Sequence, residues 1–330
     1  MEDLLSQWKK VQHEIASKTH VPPDDNHSFR GYFNDNREYG CLYPSIQDKL
    51  IGGVDVSFGE GDLAVAVYVI TQNHKVVYRD SIEYSITQPY ISSFLAFREI
   101  DPLKQLVLNQ KTKNPELTPE VILVDGNGKL HERGAGIACF LGVLTEIPTI
   151  GVGKTLYCMD GFSVDMVEEK VSTKLAEFAE FCGTLAHDLD GNGSEEEIPI
   201  IKCKSVIDAA KEREIDISGR KHDTKKEMNS LVKALSNHCD GLAIELKGDS
   251  GSVLAAALVG HGGKIQGRRK AAGTKNPIYI SVGHDISLQD AVAMCGALSL
   301  ARIPEPVRQA DLLGRDIIRQ MKTASSQRKV

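Results

Sequence analysis

Asp55 lies between Val54 and Val56 in an apolar, β-branched run. An acid in the middle of such a strand is expensive unless it is paired or bound to a cation. Asp125 closes a second apolar run, VILVD, and is followed by GNG, the kind of strand end where ligands gather in α/β sheets. Glu99 sits between the two runs, two positions after Phe97 in a helix-like stretch. If the strands carrying Asp55 and Asp125 are neighbours, the three carboxylates can converge at one edge. Three hard oxygen donors suit Mg²⁺, with Mn²⁺ able to substitute, because these ions keep several waters and add phosphate oxygens. Such a site lowers the pKa of a bound water and neutralises charge on a leaving oxygen. His284, in the turn SVGHD, is a fourth candidate, as a ligand or proton shuttle; a turn histidine bonded to backbone is the plainer alternative. Lys154 places a cation at a strand end, where it can meet a phosphate.

Two other motifs fail on spacing. GVGKT (151–155) looks like part of a P-loop, but Pro148 stands where the full pattern needs a glycine. No nucleotide cofactor is expected. DLDGNG (188–193) begins like an EF-hand loop, yet its twelfth position is Pro199 and not the bidentate glutamate, so a solvated turn fits better. GNGKLHERGAG (126–136) is glycine-rich without dinucleotide spacing; its glycines suit a close approach of backbone to a flat base.

The elements that must position these groups follow from periodicity. MEDLLSQWKKVQHEIASK reads as an amphipathic helix with acids and bases throughout and no apolar core of a signal peptide. Residues 50–58, 62–71 and 75–86 read as three strands joined by the short turns GEG and QNH, an antiparallel meander. Residues 90–110 switch to helical spacing through Phe94, Leu95, Ile100, Leu103 and Leu106. VILVDG (121–126) reads as a strand buried on both faces, as in a parallel sheet, and 134–144 with 147–152 complete a β-α-β unit. Strands resume at 252–260 and 277–282, and a helix starts at Leu288 with Ser287 as its cap and Asp290 in capping-box position. IPEPVRQAD (303–311) is a Pro-bounded crossing into the last helix. Three antiparallel strands followed by alternating helix and strand predict an α/β fold, a mixed sheet flanked by helices; the arrangement suits the ribonuclease H-like fold, though other α/β folds share it. A single domain is expected across 1–330, with a charge-rich insertion at about 175–242 and a basic, disordered tail at 321–330.

Bulk properties exclude several classes. Hydrophobic residues make up 41% and charged residues 25%, ordinary for a globular chain, and no window resembles a membrane span. The 7 cysteines are spread without a CxxC pair, so free thiols in a reducing compartment are expected. The expected location is the cytoplasm, with the nucleus and nucleolus as further compartments. A net charge of −6 argues against coating nucleic acid by charge alone. Local basic patches exist at Lys264, Arg268, Arg269, Lys270 and Lys275, and in the tail, although lysines that merely keep a loop soluble explain them as well.

GGVDVSF (52–58), PYISSFLAFRE (89–99), VDGNGKLHERGAGIACFLG (124–142), IPTIGVGK (147–154), PIYISVGH (277–284) and IPEPVRQAD (303–311) together strongly resemble the endonuclease V family, particularly its animal forms. The resemblance implies that Asp55, Glu99 and Asp125 are the metal-binding acids, with His284 beside them, and that Lys154 contacts phosphate near the cut. It implies a wedge of Pro89, Tyr90 and Ile91 beside the recognised base, where an aromatic face replaces a lost stacking partner. It also implies a pocket for flipped hypoxanthine formed by Leu95, Gly126, Gly128, His131, Ile137 and Gly151. The implied reaction is hydrolysis of the second phosphodiester bond 3′ of inosine, leaving a 3′-hydroxyl and a 5′-phosphate. The implied partner is inosine-containing single-stranded RNA, as in animal forms, or DNA; no membrane is involved. A catalytically silent reader of inosine-containing RNA is the alternative. Three departures stand out: Ser92 replaces a proline frequent in bacterial members, Phe140 stands where a second histidine is common, and the insertion has no counterpart in compact members.

Overall fold

A computed structural model describes residues 2–23, 46, 48–173, 242–259 and 276–327. The charge-dense stretch with DLDGNG, up to residue 241, and the basic loop with Lys264, Arg268, Arg269, Lys270 and Lys275 lie outside them. The meander forms as its alternation predicts: β1 (Ile51–Phe58), β2 (Leu63–Gln72) and β3 (Lys75–Ser85) pair antiparallel. The apolar run 121–125 becomes β4 (Val121–Asp125), parallel to β1 on one side and to β5 (Thr149–Gly153) on the other. Burial on both faces explains why β4 shows no alternation.

One strand departs from expectation. The insertion was placed at about 175–242, but Leu242 already begins β6 (Leu242–Lys247), which pairs antiparallel with β7 (Val253–Val259). LAIEL carries an alternating apolar pattern, and KGDSG supplies the turn between the two strands. With β8 (Ile278–His284) the described residues form a sheet of 8 strands in the order β3-β2-β1-β4-β5-β8-β7-β6. This single mixed sheet flanked by helices matches the predicted α/β class.

Helices cover both faces. α1 (Glu2–Lys18), α2 (Ala96–Lys113) and α3 (Ile137–Thr145) share one apolar cluster with Val54, Ile122 and Val124. α4 (Leu288–Leu298) and the start of α5 (Glu305–Gln327) pack on the other face with Ile51, Leu123 and Ile150, and the middle of α5 packs on Val65, Val67 and Val69. Ser287 caps α4 as predicted, its hydroxyl accepting from the Asp290 amide at 3.0 Å. The expected tail is instead helix as far as Gln327, because α5 keeps an apolar stripe through Leu313, Ile317, Ile318 and Met321. Residues 328–330 lie outside the described part. Two glycines let α5 lie directly on β1: a Cβ at Gly53 would meet the Pro306 carbonyl at 2.3 Å, and one at Gly314 would meet Ser57 Oγ at 2.5 Å. Among the described residues no helix is long and apolar enough to cross a membrane.

Candidate active site

Side chains alternate across a strand, so face and neighbour follow from register. Val54 pairs with Val124, and both point toward α2 and α3. The next residues, Asp55 and Asp125, therefore sit side by side on the opposite face, under α5. Ser57 Oγ donates to Asp55 Oδ2 at 3.4 Å. Lys154, just past β5, forms an ion pair with Asp125, and its Nζ lies 3.7 Å from Asp311 of α5. Arg315, one turn further on, pairs with Asp311 at 2.8 Å. These groups line a cleft of about 490 Å³ with Phe58, Ile318, Arg319 and Lys322.

Electrostatics tie these groups together. Burial, then the hydrogen bond and charge of Asp125, push the Asp55 carboxyl up to about 9 against the pull of Lys154. Burial opposes the Lys154 charge, but Asp125, Asp55 and Asp311 together hold its pKa above the usual value. Asp55, Asp125 and Asp311 thus gather around the Lys154 ammonium, with Arg315 also on Asp311. Two touching carboxylates with a third nearby are hard oxygen donors, the donor type that suits a divalent cation of the Mg²⁺ kind. Among the described residues, no three histidine, cysteine, aspartate or glutamate side chains are disposed to hold one ion between them. Here the Lys154 ammonium takes up the space between Asp125 and Asp311.

Two further predicted members, Glu99 and His284, do not line that cleft. Glu99 is in the first turn of α2, on the other face of the sheet. Burial and the charge of Asp125 raise it to about 7, with Arg98 opposing, so Glu99 stands within reach of the Asp125 charge. His284 is further off. β8 runs antiparallel to β5 and pairs His284 with Thr149, whereas Asp125 pairs with Val152 near the other end of β5. The imidazole Nδ1 accepts from the His20 amide at 3.2 Å, and burial lowers its pKa. It is the backbone-bonded turn histidine of the plainer reading.

The residues expected to read a base form a neighbourhood around the loop that follows β4. Gly126 has φ +138°, and a Cβ there would meet Ile137 at 2.7 Å; one at Gly151 would meet the Gly128 amide at 2.4 Å. The N–H groups of Gly126 and Gly128 are already bonded, to Val152 O at 3.2 Å and Ser281 Oγ at 2.8 Å. Close backbone packing therefore accounts for these glycines. His131 is buried, with burial lowering its pKa; its Nε2 bonds the Ser93 carbonyl at 2.9 Å and its ring stacks on Tyr157. Pro89 and Tyr90 are exposed, Tyr90 to 70%, and Ile91 is half-buried. Leu95, at the start of α2, is 39% exposed. An aromatic side chain displayed this openly contributes nothing to the core.

The family model for Endonuclease V matches residues 41–189 and 242–312. The chain belongs to the endonuclease V family. Human endonuclease V is 34% identical over 323 residues, 97% of this chain and 85% of its own length. The crystal structure of the human protein superposes with a TM-score of 0.63 at 32% identity, covering 96% of this chain and 99% of that one. The endonuclease V of Ciona intestinalis, crystallised with a 24mer DNA containing an inosine followed by a ribo-adenosine, gives a TM-score of 0.61 at 25% identity, covering 97% and 99%.

Within that family frame, the residue missed in the sequence is Asp311. It lay inside IPEPVRQAD, but the reading set it in a crossing, whereas α5 starts at Glu305 and carries it over the cleft. Phe140 is no vacancy for a lost histidine. Its ring packs edge-on against Phe97 at 5.4 Å, and Phe97 stacks on Trp8 at 4.6 Å. Ser92 is exposed. Cys139, Cys158 and Cys295 are free thiols, as expected.

Proposed function

We propose that this chain is a metal-dependent endonuclease that cuts the second phosphodiester bond 3′ of inosine, leaving a 3′-hydroxyl and a 5′-phosphate. The observation that carries the proposal is the Asp55–Asp125 pair, turned into an open cleft with Lys154 and Asp311, in a chain of the endonuclease V family. The Ciona relative's complex with inosine-containing DNA supports the choice of base. Asp55 and Asp125, with Asp311 across Lys154, would hold Mg²⁺ or Mn²⁺. Bound there, the ion supplies a water of lowered pKa and neutralises charge on the leaving oxygen. Burial and Asp125 push the Asp55 carboxyl up, so holding a cation there would displace a proton, and binding would tighten as pH rises. Lys154 donates to the phosphate that displaces its carboxylate partners, and Glu99, poised near neutrality, can exchange a proton at the rim. Pro89, Tyr90 and Ile91 prise the strand open beside the base.

Asp55→Ala or Asp125→Ala should abolish Mg²⁺-dependent cutting of an inosine oligonucleotide while binding persists. Cleavage retained by either variant overturns the assignment. Wild-type binding without products would instead favour an inosine reader. RNA is the first choice of substrate, from the likeness to animal forms; matched strands differing only in the sugar at and beside inosine test it.

A further inference from the structure

Phe58 ends β1 at the mouth of the carboxylate cleft, with its side chain 51% exposed. The Arg98 guanidinium carbon lies 5.8 Å from the centre of that ring and 5.4 Å from the centre of Tyr90. Three planar groups thus form a row from the cleft to the exposed Tyr90. Arg98 Nε is buried and meets no hydrogen-bond acceptor among the described residues. A guanidinium that only filled space would be expected to satisfy that donor, since a buried polar group without a partner is unfavourable. Stacking leaves the edge of a guanidinium free for an anionic oxygen, and an exposed aromatic face takes any base.

We propose that Phe58 and Arg98 form a nucleotide subsite: a base stacks on the open face of Phe58, and the phosphate of that nucleotide accepts from Arg98. The proposal rests on the endonuclease reading above, in which a strand led from Tyr90 to Asp55 and Asp125 crosses this row. The nucleotide seated there is the one between the recognised base and the bond that is cut.

The test uses the full chain, Mg²⁺ and a short single strand carrying one inosine. Phe58→Ala should weaken strand binding roughly tenfold to a hundredfold, the range of one lost base stack. The same loss should appear in KM, and Phe58→Trp should restore affinity. Removing the base one position 3′ of inosine should cause the same loss in wild type and no further loss in Phe58→Ala. Arg98→Met should weaken binding and flatten its salt dependence, whereas Arg98→Lys retains the charge and part of the affinity. Equal binding by Phe58→Ala and wild type, or losses that multiply at every abasic position, overturns the subsite. If the wild type binds the strand and does not cut it, the nuclease reading falls, and the abasic coupling still judges the subsite by binding alone.

Discussion

Asp55 is an acid that the fold makes hard to ionise. Burial and the neighbouring Asp125 push its carboxyl up to about 9 from the 3.8 of a free side chain, so between those values the folded chain holds a proton that the unfolded chain releases. Stability without metal must therefore fall as pH rises from about 4 to about 9. Asp55→Asn removes that liability: in a chelator its melting temperature should exceed wild type at pH 8, and the gap should close toward pH 4. Parallel melting curves for the two proteins across that range would refute the burial argument. Added Mg²⁺ should raise the melting temperature of wild type and leave Asp55→Asn nearly unmoved. Asp55 and Asp125 were legible in the sequence because a charge inside a β-branched run has few other uses. Glu99, expected with them, stands in α2 and does not line their cleft, since spacing does not reveal which face a helix covers. His284 was misplaced for a related reason, since a strand's own residues do not disclose its direction, and β8 runs against β5.

At the scale of elements, the segment bearing Tyr90 is fastened through one carbonyl. Ser93 has φ +65°, and its oxygen accepts from Gln12 Nε2 at 2.9 Å, His131 Nε2 at 2.9 Å and Arg133 Nη2 at 3.0 Å. Gln12 is fully buried and also accepts from Arg133 Nε. The donors come from α1 and from the loop after β4, so three pieces of chain share one anchor. Truncating Gln12 leaves buried partners unmet, which costs about 1–3 kcal/mol. Gln12→Ala should lower the urea midpoint and speed protease cleavage near residues 89–95; an unchanged cleavage rate would show that α1 does not hold this segment. The amphipathic pattern of α1 and its buried Trp8 were readable beforehand. Gln12 was not, because a glutamine on an apolar face gives no sign of its partner. β6 went unseen for a different reason: it is a six-residue run between the end of the charge-rich stretch near 242 and the strand expected from 252, too short for its alternation to stand out.

At the scale of the whole molecule, strand alternation divides the machinery between two sides. Asp55, Asp125 and Lys154 face α5, whereas Tyr90, Glu99 and the glycine loop stand with α2 and α3. Overall architecture was the most legible level, since meander, apolar strand and helix order each left their own period. What no period could reveal is this partition, which depends on how β1 and β4 are matched. It carries a demand on the substrate. A polymer that must touch both sides has to fold over the end of the sheet within a couple of nucleotides, far below the ~150 bp over which a double helix stays straight. An unpaired oligonucleotide makes that bend freely, and a paired one must first come apart. In competition, loose strands carrying inosine should win over the same sequence locked in a perfect duplex, and preference for the duplex would mean that the path over the rim has been drawn wrongly.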